Sequence, residues 1–335
     1  MNFKKALPPG TIFNTSEKKI KTEIRKIYYD ESKITQNEPF ENAQVWIRVN
    51  GLSDSEKIAQ ELNSANVDFL IIEDIFDLTQ RSKIEEIDNG LFAIIKVSAL
   101  DVKDNDYRHD YLSIILKDNM VFTFNEYPPG ILNIIEERLT SNLGKIRNHK
   151  ANFLFYTIID SLVDANIIFE HEINDILLSW EEKVIYDKVK NIDELHQIRK
   201  EILLLKTDIF SLVESVDFIE DIYKNPQVSN LKKYYQDLID HLYRLNDRLG
   251  LDWENIKTLY DMHMNNISER TNSIMKILTI FSAVFIPMSF LTGVFGMNFV
   301  YMKIFNNPNG VWVFIGMCLS VFLLMIGFFK YKKWL

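Results

Sequence analysis

Two stretches of nineteen residues without a charged side chain, 277–295 and 311–329, lie in the last part of this 335-residue chain. At about 1.5 Å rise per residue, each would span roughly 28 Å as a helix, close to the ~30 Å hydrocarbon core of a bilayer. Helices buried in a soluble core seldom run this far without a charged edge, so both stretches are expected to cross a membrane. Neither reads as a secretory signal: residues 1–10, with Lys4 and Lys5, hold no apolar core region.

Charge divides the chain at the same place. No acidic residue follows Glu269, and residues 276–335 carry five lysines, or +5; the net −9 of the whole chain therefore leaves −14 on residues 1–275. Lys330, Lys332 and Lys333 follow the second stretch, Arg270 and Lys276 precede the first, and Lys303 alone lies between them. By the positive-inside rule both termini face the cytoplasm and the short connection faces outward, with the bacterial inner membrane as the simplest location. The acid excess speaks against a nucleic-acid partner, and the single Cys318 against a disulfide scaffold. An apolar fraction of 47% excludes general disorder.

The first stretch is not uniformly apolar. Asp261, Asn265, Ser268, Asn272, Met275, Thr279, Ser282, Ile286, Ser289 and Gly293 follow one another at alternating steps of four and three. This is a heptad-like seam along one helix face, roughly 48 Å long at ~1.5 Å per residue. Small and hydroxyl residues also let membrane helices pack closely. Close packing, however, gives no reason for the seam to continue into Asp261, Asn265 and Asn272. One pair of spans cannot enclose a pathway, so a pore would need several copies around an axis. Pro287 removes a backbone donor in mid-span and predicts a local kink.

The first stretch ends in Phe295-Gly296-Met297-Asn298-Phe299. A Gly-Met-Asn triplet closing the first of two late spans, a connection of about a dozen residues, and the ending Lys330-Tyr331-Lys332-Lys333-Trp334-Leu335 together resemble the CorA-type magnesium transporter family. Thr271-Asn272, Met275-Lys276, Glu73-Asp74-Ile75, Gln80-Arg81-Ser82-Lys83 and Tyr235-Gln236-Asp237 are also similar to family segments. The resemblance implies a homopentameric funnel. An α/β cytoplasmic domain is followed by long helices and a two-helix transmembrane hairpin, with five first spans around a pore. It implies Mg2+ as both transported and regulatory ion. Asn298 would form the outer selectivity ring, scaffolded by Gly296 and Met297, and Gly296 would allow a sharp turn. Asn272 and Asp261 would form rings further in, with Met275, Leu278 and Ile286 as apolar constrictions. Glu73 and Asp74, with Asp237 of a neighbouring subunit and Asp164 in addition, would hold the regulatory Mg2+. One departure is plain: 299–307 carries no acid and one lysine, so long-range attraction of cations at the mouth is weaker than an acidic loop would give.

The chain is expected to divide into an α/β domain (1–150), antiparallel long helices (151–228), a pore-lining helix (229–295), an external loop (296–310) and a second span with a basic tail (311–335). Strands are expected at 43–49, 69–72, 91–99, 110–116 and 121–124, with a hairpin turn at Asp118-Asn119 and a helix over 53–63. Glu170-His171-Glu172 reads as a solvated helix face, and His196 and His241 as surface or packing residues. Phosphate loops, Gly-x-Gly-x-x-Gly and cysteine pairs are absent, so an enzyme is not expected. Three functions remain. The first is a passive Mg2+ channel with Co2+ and Ni2+ as candidate further ions. The second is a zinc transporter of the same superfamily, proton-coupled in one version. The third is a membrane-anchored interaction protein, against which the polar seam speaks.

Overall fold

The computed structural model describes residues 20–101, 106–126, 130–187, 189, 191–217, 229–297 and 308–334. They fall into two compact units, one drawn from 1–183 and 190–258, the other from 184–189 and 259–335.

The described residues of the first unit form seven strands: β1 (Glu23–Tyr29), β2 (Ile34–Gln36), β3 (Gln44–Asn50), β4 (Lys83–Ile87), β5 (Gly90–Asp101), β6 (Asp106–Lys117) and β7 (Met120–Asn125). Their order is β2-β1-β3-β7-β6-β5-β4, and every pairing is antiparallel except β3 with β7. The turn at Asp118-Asn119 joins β6 to β7 as expected, with Asp118 in the left-handed region at φ 53°. Side chains alternate along the strands. Val45, Ile47, Val49, Phe92, Ile94, Ile115, Phe122 and Phe124 face one way, into a core with α1 (Ser55–Ser64) and α2 (Phe69–Phe76).

Helix α1 starts where Asp54 accepts from the backbone N–H of Lys57. The apolar run at 69–72 is the first turn of α2, not a strand. Asp68 caps it by accepting from Leu70 N–H, and Ile71, Ile72, Ile75 and Phe76 bury the helical repeat that a four-residue window cannot reveal.

On the other sheet face lie Trp46, Arg48, Leu91, Ala93, Ile95 and Ile114, all buried. Arg48 is paired there with Glu136 of α3 (Gly130–Thr140) and donates to Asn133 Oδ1 at 2.9 Å. Helix α4 (Ala151–Ile185) is tied to β5 by one side chain: Asn166 accepts from Ser98 N–H at 3.1 Å and donates to the Lys96 carbonyl at 3.0 Å. Helix α5 (Asp193–Asp217) adds Asp208, 3.3 Å from Lys96 Nζ, and Glu201, 2.9 Å from His109 Nε2. At the sheet edge, Ile84 of β4 gives its outward N–H to Ser215 Oγ of α5 at 3.2 Å.

Two further helices follow, α6 (Lys232–Gly296) and α7 (Gly310–Tyr331). Helix α6 is 65 residues long and passes through Pro287 without interruption. Among the described residues, three helices are long and apolar enough to cross a membrane. The apolar window of Ala151–Ile185 is 61% buried in protein, whereas that of Ser229–Gly296 is 6% buried and that of Gly310–Tyr331 0%. Burial assigns α4 to a protein core and leaves the other two apolar segments for lipid.

Candidate functional site

In the second unit, α6 and α7 run alongside each other in opposite directions. The Phe295 and Phe314 rings lie 4.9 Å apart at one end, and at the other Lys276 Nζ donates to the Lys333 carbonyl at 3.4 Å. The face of α6 turned to this contact carries Ile280, Val284, Pro287, Leu291 and Phe295, which are covered wholly or in part. At about 100° per residue, Met275 and Gly293, nine residues either side of Val284, fall about 180° from it. Asp261, Asn265, Ser268, Asn272, Met275, Thr279, Ile286, Ser289 and Gly293 are all exposed; Ser282 and the flanking Leu278 are half-covered and exposed, respectively. The seam therefore points away from α7, and pairing of these two helices is not its purpose. Left against lipid, its polar groups would be costly, so the face calls for further protein or water.

Chemically the seam offers oxygen. Thr279 Oγ1 donates within the helix to the Met275 carbonyl at 2.8 Å, which leaves its lone pairs free to accept. No carboxylate occurs between Asn272 and the end of the helix. Helix α6 runs through Gly296 without entering the left-handed region, and a Cβ there would meet nothing within 4 Å, so one chain alone places no glycine requirement on this position. Met297 is exposed. Asn298, the expected selectivity residue, lies outside the described residues, as does the loop through 307.

The expected carboxylates sit in two places. Glu73 and Asp74 are half-buried on α2. Asp74 accepts from Lys83 Nζ at 2.7 Å and from Gln80 Nε2 at 3.0 Å, and Lys83 also lies 3.0 Å from both Glu85 oxygens. Burial alone would pull the Lys83 ammonium down, but hydrogen bonds to Asp74 and Glu85 outweigh it and hold its pKa above the ordinary lysine value. Asp74 thus shares the Lys83 ammonium with Glu85 inside its own chain, which leaves this trio with a net negative charge. Asp164 of α4 and Asp237 of α6 flank His241, whose ring nitrogens lie 3.8 and 3.9 Å from them. Asp160, one turn before Asp164, joins this patch unforeseen. Burial, and then the charge of Asp164, raise its pKa, while a hydrogen bond with Tyr156 opposes them. The signal that could have found it is its four-residue spacing from Asp164 on the same helix. Among the described residues, no three His, Cys, Asp or Glu side chains converge closely enough to hold a metal.

Glu170 corrects one expectation. It is 2% exposed rather than solvated, and accepts from Arg248 Nη1 of α6 at 3.2 Å, while His171 beside it is exposed. Next to it Asp252, 1% exposed, accepts from Asn174 Nδ2 at 3.3 Å. Burial first, then the Glu170 charge, raise Asp252 to about 6, against the weaker opposing effects of Asn174 and Arg248. The folded protein thus holds this proton more tightly than the unfolded chain, so the stability contributed is full below the ordinary carboxylate value and lost as pH rises through about 6. Replacing Asp252 by Asn is expected to raise the melting temperature at about pH 7.5, with the gap to the parent narrowing toward about pH 5. A gap independent of pH in paired melting curves would refute the assignment.

A family model described as "CorA-like Mg2+ transporter protein" matches residues 41–332. Among curated relatives, a cobalt/magnesium transport protein CorA from Thermotoga maritima is 29% identical over 100% of this chain and 99% of its own length. A zinc transport protein ZntB from Pectobacterium carotovorum is 25% identical over 53% of this chain and 55% of its own. Among solved structures, the complete CorA magnesium transporter from Methanocaldococcus jannaschii superposes with a TM-score of 0.81 at 17% identity, covering 94% of this chain and 100% of that one.

Proposed function

Because the chain belongs to the CorA-like Mg2+ transporter family, a family of divalent-cation transporters rather than enzymes, we propose that it is a passive Mg2+ channel of the bacterial inner membrane, with both ends in the cytoplasm. Cobalt is a further candidate cargo, named with magnesium for the Thermotoga maritima relative, and Ni2+ another. The observation that carries this reading is the seam of α6 on the side away from α7. Copies arranged around an axis, five in the proposed assembly, would turn their seams toward one another and line a path. Mg2+ keeps its inner water shell, which it sheds reluctantly and which oxygen acceptors can recognise without replacing. The amides of Asn272 and Asn298 and the hydroxyls of Thr279, Ser282 and Ser289 suit that task. Met275, Leu278 and Ile286 would form constrictions that dewet when closed.

The cytoplasmic carboxylates supply a feedback device in the same proposal. Mg2+ bridging Asp74 and Glu73 of one subunit to Asp237 of the next, near Asp164, would relieve charge repulsion and favour the closed assembly when internal Mg2+ is plentiful.

Zinc transport is the second reading, favoured by the ZntB relatives. Reconstituted vesicles with an inside-negative potential decide between them. Mg2+ influx is expected without any pH gradient. Zn2+ flux that requires a proton gradient, with no Mg2+ flux, would replace magnesium by zinc. No flux of either ion would leave an anchored interaction protein.

A further inference from the structure

The residues after α7 form a built turn. Lys332 N–H donates to the Phe328 carbonyl at 3.0 Å, Lys333 N–H to Lys330 at 3.1 Å, and Trp334 N–H to Phe329 at 2.9 Å. The last of these, with Lys333 in the left-handed region at φ 56°, makes the helix-closing pattern in which glycine is the usual residue. The apolar contact that accompanies such turns is present as Trp334 stacked on Phe329, with centroids 5.8 Å apart and planes 20° from parallel. A lysine accepts a strained backbone here, and the turn fixes Lys330, Lys332 and Lys333, all exposed, at one helix end. Lys276 of α6 reaches the same place through its bond to the Lys333 carbonyl.

Four ammonium groups thus gather at the end of two apolar helices, in a stretch of sequence that holds no acid after Glu269. Tyr331 and Trp334 stand exposed beside them, in the amphipathic role that aromatic residues take at headgroup depth. We propose that this turn, with Lys276, binds the headgroup of an anionic phospholipid in the cytoplasmic leaflet. Lysine ammoniums meet phosphate as point charges and donors. A zwitterionic headgroup would place its own cation among them, so the charge arrangement selects lipids whose headgroup is anionic overall. The proposal rests on the reading of α6 and α7 as membrane spans. It adds a lipid preference that ion transport by itself does not require.

The test uses the full-length protein in detergent, with retained lipid counted by native mass spectrometry after exposure to equal phosphatidylglycerol and phosphatidylcholine. A preference for phosphatidylglycerol on the order of tenfold is expected, and its loss in a variant combining K330Q, K332Q and K333Q. Lys333→Gly separates charge from architecture: glycine suits the left-handed position, so thermal stability should hold or rise while phosphatidylglycerol retention falls. Equal retention of the two lipids by the parent, or an undiminished preference in the triple variant, overturns the proposal. An alkaline wash of membranes makes the two possible failures distinguishable. A chain released by the wash overturns the spanning reading and this proposal together. One that stays without lipid preference overturns this proposal alone.

Discussion

Replacing Asn298 by Ala is expected to lower Mg2+ influx into reconstituted vesicles by about tenfold or more, the equivalent of one charge-assisted hydrogen bond of ~1.5 kcal/mol lost at the mouth. The connection after Gly296 offers little else to capture a cation, because 299–307 holds no acid and one lysine. With no acidic ring to raise the local concentration of Mg2+, capture in the proposed channel would fall on amide and carbonyl oxygens, and Ala removes the amide expected at the mouth. Asn298→Asp should behave differently. A carboxylate holds the hydrated ion more strongly, so binding should persist while throughput falls at saturating Mg2+. Flux in Asn298→Ala equal to that of the parent would remove this residue from the pathway.

The second large effect concerns the carboxylates of α2 and α6. If Mg2+ joins subunits through Asp74 and Asp237, the parent should resist protease in millimolar-range Mg2+ and be cut readily in chelator, and Asp74→Ala or Asp237→Ala should be cut readily in both. Lys83 sharpens this test. Its ammonium already sits 2.7 Å from Asp74, so an arriving ion must compete with an internal cation. Lys83→Met removes the competitor and should move protection to lower Mg2+ concentration, opposite in direction to the Asp74 variant. Mg2+-dependent protection unchanged in all three variants would show that these residues are not the sensor.

Much of this was legible in the sequence for a definite reason. A membrane demands long uncharged helices, so 277–295 and 311–329 declare themselves by composition alone. The seam was legible because helical period is the same whether a face meets protein, water or lipid. Its direction was not, since that depends on which face Val284 and Phe295 turn toward α7. The central strands β3, β5, β6 and β7 announced themselves through β-branched runs, whereas β1, β2 and β4 escaped because their sequences are short or rich in charge. The stretch 69–72 misled because four apolar residues fit either period, and Asp68 decided the matter as a cap. Glu170 misled because an acid beside a histidine looks solvated until its partner, Arg248, seventy-eight positions away, is known. Asp160 went unnoticed among 47 acids because its spacing from Asp164 is common on any charged helix, and the burial that sets it apart exists only once α4 is packed.

The edges of the sheet bear on how such a protein survives its own synthesis. One edge strand, β2, is three residues long; the other, β4, reads Lys-Ile-Glu-Glu-Ile and gives one outward amide to Ser215. An unpaired edge is a template on which a neighbouring nascent chain can add a strand. Chains delivered side by side to one patch of membrane meet at high local concentration, and these blunted margins deny them that wrong route of association. The blunted edges thus speak against association of copies through an added strand, a hydrogen-bonded ladder that would lock the first encounter in place.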